Sequence, residues 1–268
     1  MNSAYQTVAP GLNLGMRALR WWWRHWRWPG RWRLVNLLMP VFGRGQVVVR
    51  SPYGFEVEAY LDDTVYAPLL FDGDYEARTS EFISREVRDA DLFLDCGANY
   101  GYFTLLAASV AGPSLAVHAF EPQPLIFERL RRNVERCGCR VQLHRIALGD
   151  RPGRVALAQP RRRASGNAYV SPEGGLEVEV GVLDDVVAAT RGKLVVKLDV
   201  EGYEWPVLKG ARRLIREASR AVVVVELYSD HTARFGYRVG ELLRWTADEL
   251  GLRTAGELGD GNVVLARP

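Results

Sequence analysis

Cysteine is scarce in this chain: three in 268 residues, at positions 96, 137 and 139. So few, so unevenly placed, exclude the disulfide framework of a small secreted domain, and Cys137-Gly138-Cys139 has no second pair to complete a zinc site. A reducing, cytoplasmic setting is expected. Long apolar runs are missing too. No stretch reaches the roughly 20 consecutive apolar residues of a membrane-spanning helix, and the first residues lack the charged start, apolar middle and small-residue cleavage site of a signal peptide. Acidic residues are absent before Glu56. Eight arginines precede it (17, 20, 24, 27, 31, 33, 44 and 50), leaving 27 basic against 32 acidic residues in the remainder, so the net charge of +3 conceals a basic head on a mildly acidic body.

The head is rich in tryptophan, holding six of the eight in the chain at 21, 22, 23, 26, 28 and 32. On a helix over residues 12–28, Arg17, Arg20, Arg24 and Arg27 fall on one arc, and Leu12, Met16, Leu19, Trp22, Trp23 and Trp26 gather on an adjoining face. Pro29-Gly30 breaks that helix, and a short one is expected over 33–39. Residues 1–45 therefore read as a basic, tryptophan-rich helical extension. Arginine beside tryptophan suits peripheral contact with anionic headgroups at the inner face of a membrane, through residues 12–39. The alternative is that the tryptophans cap the main domain or a second copy of the chain in a homo-oligomer. The acidic body and the lack of a nucleic-acid-binding motif disfavour nucleic acid as a partner.

Residues 46–268 read as one α/β domain. Gln46 to Arg50 and Phe55 to Tyr60 alternate around Ser51-Pro52-Tyr53-Gly54 as an N-terminal hairpin over 46–62. From residue 91 the rhythm becomes strand, helix, strand, with strands near 91–96, 115–121, 140–146, 193–199 and 220–227 and helices near 100–111, 123–137, 203–217 and 238–250. Runs such as Ala221-Val222-Val223-Val224-Val225 are continuous, as in strands buried on both faces of a parallel sheet. Over 153–183 an inserted hairpin is expected, its two strands flanking the basic Arg161-Arg162-Arg163. The chain closes in a second hairpin around Gly259-Asp260-Gly261-Asn262.

Chemistry concentrates where strands end. Asp95-Cys96-Gly97-Ala98-Asn99-Tyr100-Gly101 follows the first buried strand and opens a helix, so backbone N–H groups can approach a ligand that carries a carboxylate, a ribose or a phosphate. Its Asp-x-Gly-x-x-x-Gly spacing differs from the Gly-x-Gly-x-x-Gly of dinucleotide enzymes and points to S-adenosylmethionine. Glu121 ends the second strand, where a carboxylate accepts both hydrogen bonds of a ribose diol. Asp199 and Glu201 end the fourth, and Glu226 the fifth.

Phe93-Leu94-Asp95-Cys96-Gly97-Ala98-Asn99-Tyr100-Gly101-Tyr102-Phe103, His118-Ala119-Phe120-Glu121-Pro122, Ala147-Leu148-Gly149-Asp150 and Val196-Lys197-Leu198-Asp199-Val200-Glu201-Gly202-Tyr203-Glu204, in that order, resemble the FkbM family of S-adenosylmethionine-dependent methyltransferases over roughly residues 75–227. The resemblance implies the class I methyltransferase (Rossmann-like) fold: a seven-stranded, mostly parallel sheet with an antiparallel C-terminal hairpin. It also implies methyl transfer to a hydroxyl of a sugar, glycolipid or secondary metabolite. By position, Asp95, Gly97, Ala98, Asn99, Gly101 and Tyr102 would line the methionine and ribose side, Glu121 and Pro122 the ribose hydroxyls and Ala147 the adenine, with Asp199 beside the methyl group. Glu76, with Tyr75, is placed either to close over the cofactor or in a surface loop. The sulfonium already carries an activated methyl, so the protein must align the partners and remove a proton. A general base contributes roughly 10² to 10⁴ in rate. Asp199, Glu201 and His231 are the candidates. Asp199, Glu201 and Glu226 are alternatively ligands for a divalent cation that would acidify the hydroxyl. The competing functions are a nucleic-acid methyltransferase and a non-catalytic membrane-associated scaffold with a vestigial cofactor pocket.

Overall fold

A computed structural model describes residues 14–26, 33, 37–38, 45–61, 67–158, 168–171 and 173–267. In chain order the elements are α1 (Leu14–His25), β1 (Gln46–Arg50), β2 (Glu56–Tyr60), α2 (Ala67–Asp72), α3 (Ala77–Glu86), β3 (Leu92–Cys96), α4 (Tyr102–Ala111), β4 (Ala116–Phe120), α5 (Pro124–Cys137) and β5 (Gln142–His144). Then follow β6 (Ala147–Leu148), β7 (Gly153–Ala158), β8 (Tyr169–Val170), β9 (Leu176–Gly181), α6 (Leu183–Val186), β10 (Lys193–Leu198), α7 (Glu204–Lys209) and α8 (Arg212–Glu217). The chain continues through β11 (Arg220–Glu226), α9 (Ser229–Ala233), α10 (Val239–Leu250), β12 (Arg253–Gly259) and β13 (Asn262–Arg267).

The large sheet has seven strands in the order β12-β13-β11-β10-β3-β4-β5. The five from β11 to β5 are parallel; β13 runs antiparallel beside β11, and β12 pairs antiparallel with β13 at the edge, which returns it to the direction of the five. This is the class I methyltransferase arrangement expected from the sequence. Strand order reverses between β3 and β10, because β4 and β5 are added on one side and β11 on the other. Such a switch point opens a crevice at the carboxyl ends of the strands. Period-two alternation divides the buried runs between two cores: Phe93, Val195, Val222 and Val224 face one layer, and Leu94, Val196, Val223 and Val225 the other. Each such side chain removed from water contributes about 1.5–3 kcal/mol, so both faces of the sheet are held firmly beneath the crevice.

Several expectations are modified. The helix foreseen over 203–217 is two helices, α7 and α8, because Gly210 leaves the helical ladder: its carbonyl accepts the Asp184 N–H (2.8 Å), and a Cβ there would lie 2.1 Å from the Gly149 carbonyl oxygen. The inserted hairpin is present as the antiparallel pair β7 and β9, but β8 and β6 extend it to a four-stranded sheet, β6-β9-β7-β8. Its basic residues Arg161 to Arg163 lie outside the described residues, as do most of 33–39. Helices α2 and α3 have no counterpart in the sequence reading. The buried face of α3 consists largely of Thr79, Ser80, Ser84 and Glu86 around Ile83, so it lacks the stripe of large apolar residues that marks the other helices. Cys137 and Cys139 bring their side chains together across Gly138 at the end of α5. In the basic head, Met16, Leu19 and Trp23 are buried, and Trp23 donates from Nε1 to Asp72 Oδ1 (2.6 Å) and packs on Phe71. That face of α1 belongs to the core, whereas Leu14, Trp21 and Trp26 are exposed.

Candidate active site

The glycine turn links β3 to α4. Gly97 and Gly101 both have positive φ (84° and 92°), which glycine adopts without steric cost. At Gly97 the requirement is also spatial: a Cβ would fall 1.8 Å from the Asp199 carbonyl oxygen. Only glycine lets the ends of β3 and β10 close to this distance. The N–H groups of Gly97 and Ala98 both donate to the Phe120 carbonyl (3.0 and 2.9 Å), fastening the turn to the end of β4. Asp95 lies beneath the turn, where it accepts a hydrogen bond from Thr104 Oγ1, and burial pushes its carboxyl up to about 6.

Glu121 is buried at the end of β4. One carboxylate oxygen accepts the Asn99 N–H (3.1 Å) and the other the Gln123 N–H (2.9 Å). Each oxygen keeps lone-pair capacity for a further donor. Burial raises this carboxyl to about 7, against the opposing pull of the two backbone N–H groups. Glu121 opens onto a cleft at the switch point. Ile146, Ala147 and Leu148 line it beside Phe120, and Leu157, Ala168 and Val170 of the inserted sheet line it as well.

The other end of the cleft is acidic, with Glu76, Asp199, Glu201 and Glu226 all lining it. Lys197, fully buried on β10, supplies the compensating cation. Its Nζ stands 3.3 Å from Asp199 Oδ2. Burial by itself would lower the lysine, but Asp199, Glu76, Glu226 and Asp95 overcome that and raise it. Strand register explains why Asp199 and Glu226 meet: Leu198 is opposite Val225, so the next residues of both strands emerge side by side and hydrogen-bond. Glu226 is raised well above the usual carboxylate range, first by burial and then by the Asp199 charge. Glu76 accepts Asn262 Nδ2 (3.0 Å) and is also raised by burial.

Among the described residues, four besides glycine have positive φ: Glu76 (43°), Asn99 (52°), Glu201 (56°) and Asp260 (50°). The first three line the cleft. Such conformations persist only where surrounding contacts enforce them, and they gather at functional sites. At Glu201 the enforcement is visible. Gly202 donates its N–H to Glu204 Oε1 (2.8 Å) and accepts the Tyr237 hydroxyl on its carbonyl (2.7 Å), and a Cβ on it would meet the His231 carbonyl oxygen at 2.6 Å. His231 Nδ1 lies 3.2 Å from Glu201 Oε2, and burial raises Glu201 to about 7.

Of the residues singled out in the sequence, Glu76, Gly97, Asn99, Glu121, Pro122, Ala147, Asp199 and Glu201 surround one cleft. Asp95 and Ala98 shape the turn from below, Gly101 seats against Leu130, Tyr102 points to Asp74 and Ser80, and His231 stands behind Glu201. Lys197, the inserted-sheet lining and Asn262 join the site without being among the residues that the sequence singles out. For Lys197, a charge inside a continuous apolar strand was the available signal. The divalent-cation alternative does not fit: among the described residues no three His, Cys, Asp or Glu side chains converge to hold a metal, and Asp199 is engaged by Lys197 and Glu226. A cationic cofactor with a ribose suits the arrangement, since the acids around Lys197 outnumber it and Glu121 can accept two hydroxyls.

The methyltransferase FkbM domain matches residues 95–253. Among curated relatives, the hexuronic acid methyltransferase AglP of Haloferax volcanii is 31% identical over 146 residues, covering 54% of this chain and 59% of that protein. The 31-O-demethyl-FK506 methyltransferase FkbM of Streptomyces tacrolimicus is 31% identical over 160 residues, covering 47% of this chain and 61% of that protein. The chain thus spans about three fifths of the length of either relative. Among solved structures, the Pyrococcus abyssi tRNA (uracil-54, C5)-methyltransferase with S-adenosyl-L-homocysteine superposes with a TM-score of 0.48 at 12% identity, covering 82% of this chain and 44% of that one.

Proposed function

The chain belongs to the FkbM family of methyltransferases, and we propose that it transfers a methyl group from S-adenosylmethionine to a hydroxyl of a sugar, glycolipid or natural-product acceptor. When bound, the cofactor supplies a methyl group activated by its sulfonium sulfur. The observation that carries this reading is Glu121: a buried carboxylate at the end of β4, pinned by two backbone N–H groups and open to the switch-point cleft. It would hold the ribose diol, with the Gly97 turn along the methionine side and Phe120, Ile146 and Ala147 against the adenine. Asp199, Glu201 and Glu226 would face the cationic end. An oxidoreductase reading fares worse, because the turn lacks the dinucleotide glycine spacing.

The names of the relatives supply the first acceptors to test, hexuronic acids and demethylated macrocycles of the FK506 type. Calorimetry with S-adenosylmethionine should show binding that Glu121→Ala abolishes. Mass spectrometry should then find an acceptor one CH₂ heavier. No cofactor binding to the full chain would end the enzyme reading.

The same proposal extends to location. Leu14, Trp21 and Trp26 are exposed in a head with seven arginines and no acid, a composition suited to an anionic membrane surface. No helix among the described residues is long and apolar enough to cross a membrane.

A further inference from the structure

The acids at the cationic end of the cleft differ in what already holds them. Asp199 is tied to the buried Lys197 ammonium at 3.3 Å and hydrogen-bonded to Glu226, its neighbour across the β10 and β11 register. Taking up a proton there would remove the closest counter-charge of a fully buried lysine, which is costly. Asp199 is thus committed before any acceptor arrives.

Glu201 is not. Its backbone is held at φ 56°, which turns the side chain into the cleft, and Oε2 meets His231 Nδ1 at 3.2 Å. Among the described residues it has no second hydrogen-bond partner, so Oε1 is left for a ligand. The charged groups facing it are Asp199, Glu204, Glu226, Lys197, Arg234 and His231. The contact with His231 is built rather than incidental. Gly202 permits the His231 carbonyl to come within 2.6 Å of where a Cβ would stand, and Glu204 and Tyr237 fasten Gly202 from the other side.

Building on the methyl-transfer reading, we propose that Glu201 takes the proton of the acceptor hydroxyl and that His231 is its positioning residue, donating from Nδ1 to Oε2 so that Oε1 points at the acceptor. As Glu201 takes that proton, the hydroxyl oxygen's lone pair forms the bond to the methyl carbon, and the electron pair of the broken carbon–sulfur bond stays on sulfur. Asp199, held by Lys197 and Glu226, lines the same end of the cleft without taking the proton.

The test counts protons. The full chain is titrated calorimetrically near pH 7 with S-adenosylmethionine and, separately, with S-adenosylhomocysteine, each in two buffers of different ionisation enthalpy. The ligands differ at sulfur, cationic in one and neutral in the other, so the difference in proton release reports a carboxyl facing the reacting centre. With Glu201 at about 7, the wild type should release more protons with S-adenosylmethionine, by on the order of half a proton. Glu201→Gln should lose that excess. His231→Phe should shift the pH at which the excess is largest upward, since the ionised carboxylate loses its N–H donor, and His231→Gln, whose amide still donates, should restore it. An excess that survives Glu201→Gln and vanishes in Glu226→Gln would assign the titrating group to the Asp199 pair and overturn the proposal. Failure of both ligands to bind would overturn the cofactor reading, and this proposal with it.

Discussion

Glu121, proposed to hold the ribose diol, should make the affinity for that end of the cofactor depend on pH, in a calculable direction. In the free protein its carboxyl titrates at about 7 because burial disfavours the charge. A ribose diol donates two hydrogen bonds to the ionised form, so binding lowers this value and expels a proton whenever the carboxyl is protonated beforehand. About nine tenths of the molecules hold the ionised form at pH 8 and about one tenth at pH 6. If the complex titrates below that range, the dissociation constant rises about tenfold on going from pH 8 to pH 6, equivalent to about 1.4 kcal/mol. Above pH 8 the affinity levels off. Adenosine is the probe of choice, since it carries the diol but no amino-acid end that would titrate in the same window. The assay is calorimetric titration at half-unit steps of pH, on the wild type and on Glu121→Gln. In the variant the amide cannot ionise, and the Glu121 part of the slope should disappear. Any slope left there belongs to other groups such as Asp95, which titrates at about 6. Equal slopes in the two proteins, or a wild-type affinity that is flat from pH 6 to 8, would refute the assignment of Glu121 to the ribose.

Two other predictions concern the turn and the head. Gly97→Ala places a Cβ 1.8 Å from the Asp199 carbonyl oxygen at a φ of 84°, so it should abolish cofactor binding by calorimetry and lower the stability by on the order of 2 kcal/mol or more in thermal melts. Trp23→Ala empties a buried site on Phe71 and should cost about 3–5 kcal/mol, whereas the exposed Trp21 and Trp26, replaced together by alanine, should leave the melt nearly unchanged yet weaken binding of the full chain to anionic vesicles. Undiminished vesicle binding would return that surface to ordinary solvent exposure.

What could be read along the chain was what depends on near neighbours. Continuous apolar strands, the Asp95 to Gly101 turn, the acids that end four of the five parallel strands and the closing hairpin all have short-range causes: side-chain alternation, glycine's freedom at positive φ, and the placement of polar groups where a buried strand ends. These were enough to determine the parallel sheet, its closing antiparallel hairpin and the side of the sheet on which the cleft opens. The tertiary structure decided what depends on residues far apart in sequence. Parallel register sets Asp199 beside Glu226 and both around Lys197, so an acid that the sequence offers as a candidate base is already engaged. The approach of α9 to Gly202 brings His231 to Glu201, and the inserted sheet contributes Leu157 and Val170 to the cleft. The basic head shows the same division. Its helical period determined one apolar face, but only packing against α2 could decide that Met16, Leu19 and Trp23 are core while Trp21 and Trp26 are surface, because amphipathic periodicity specifies which residues share a side and not what that side meets.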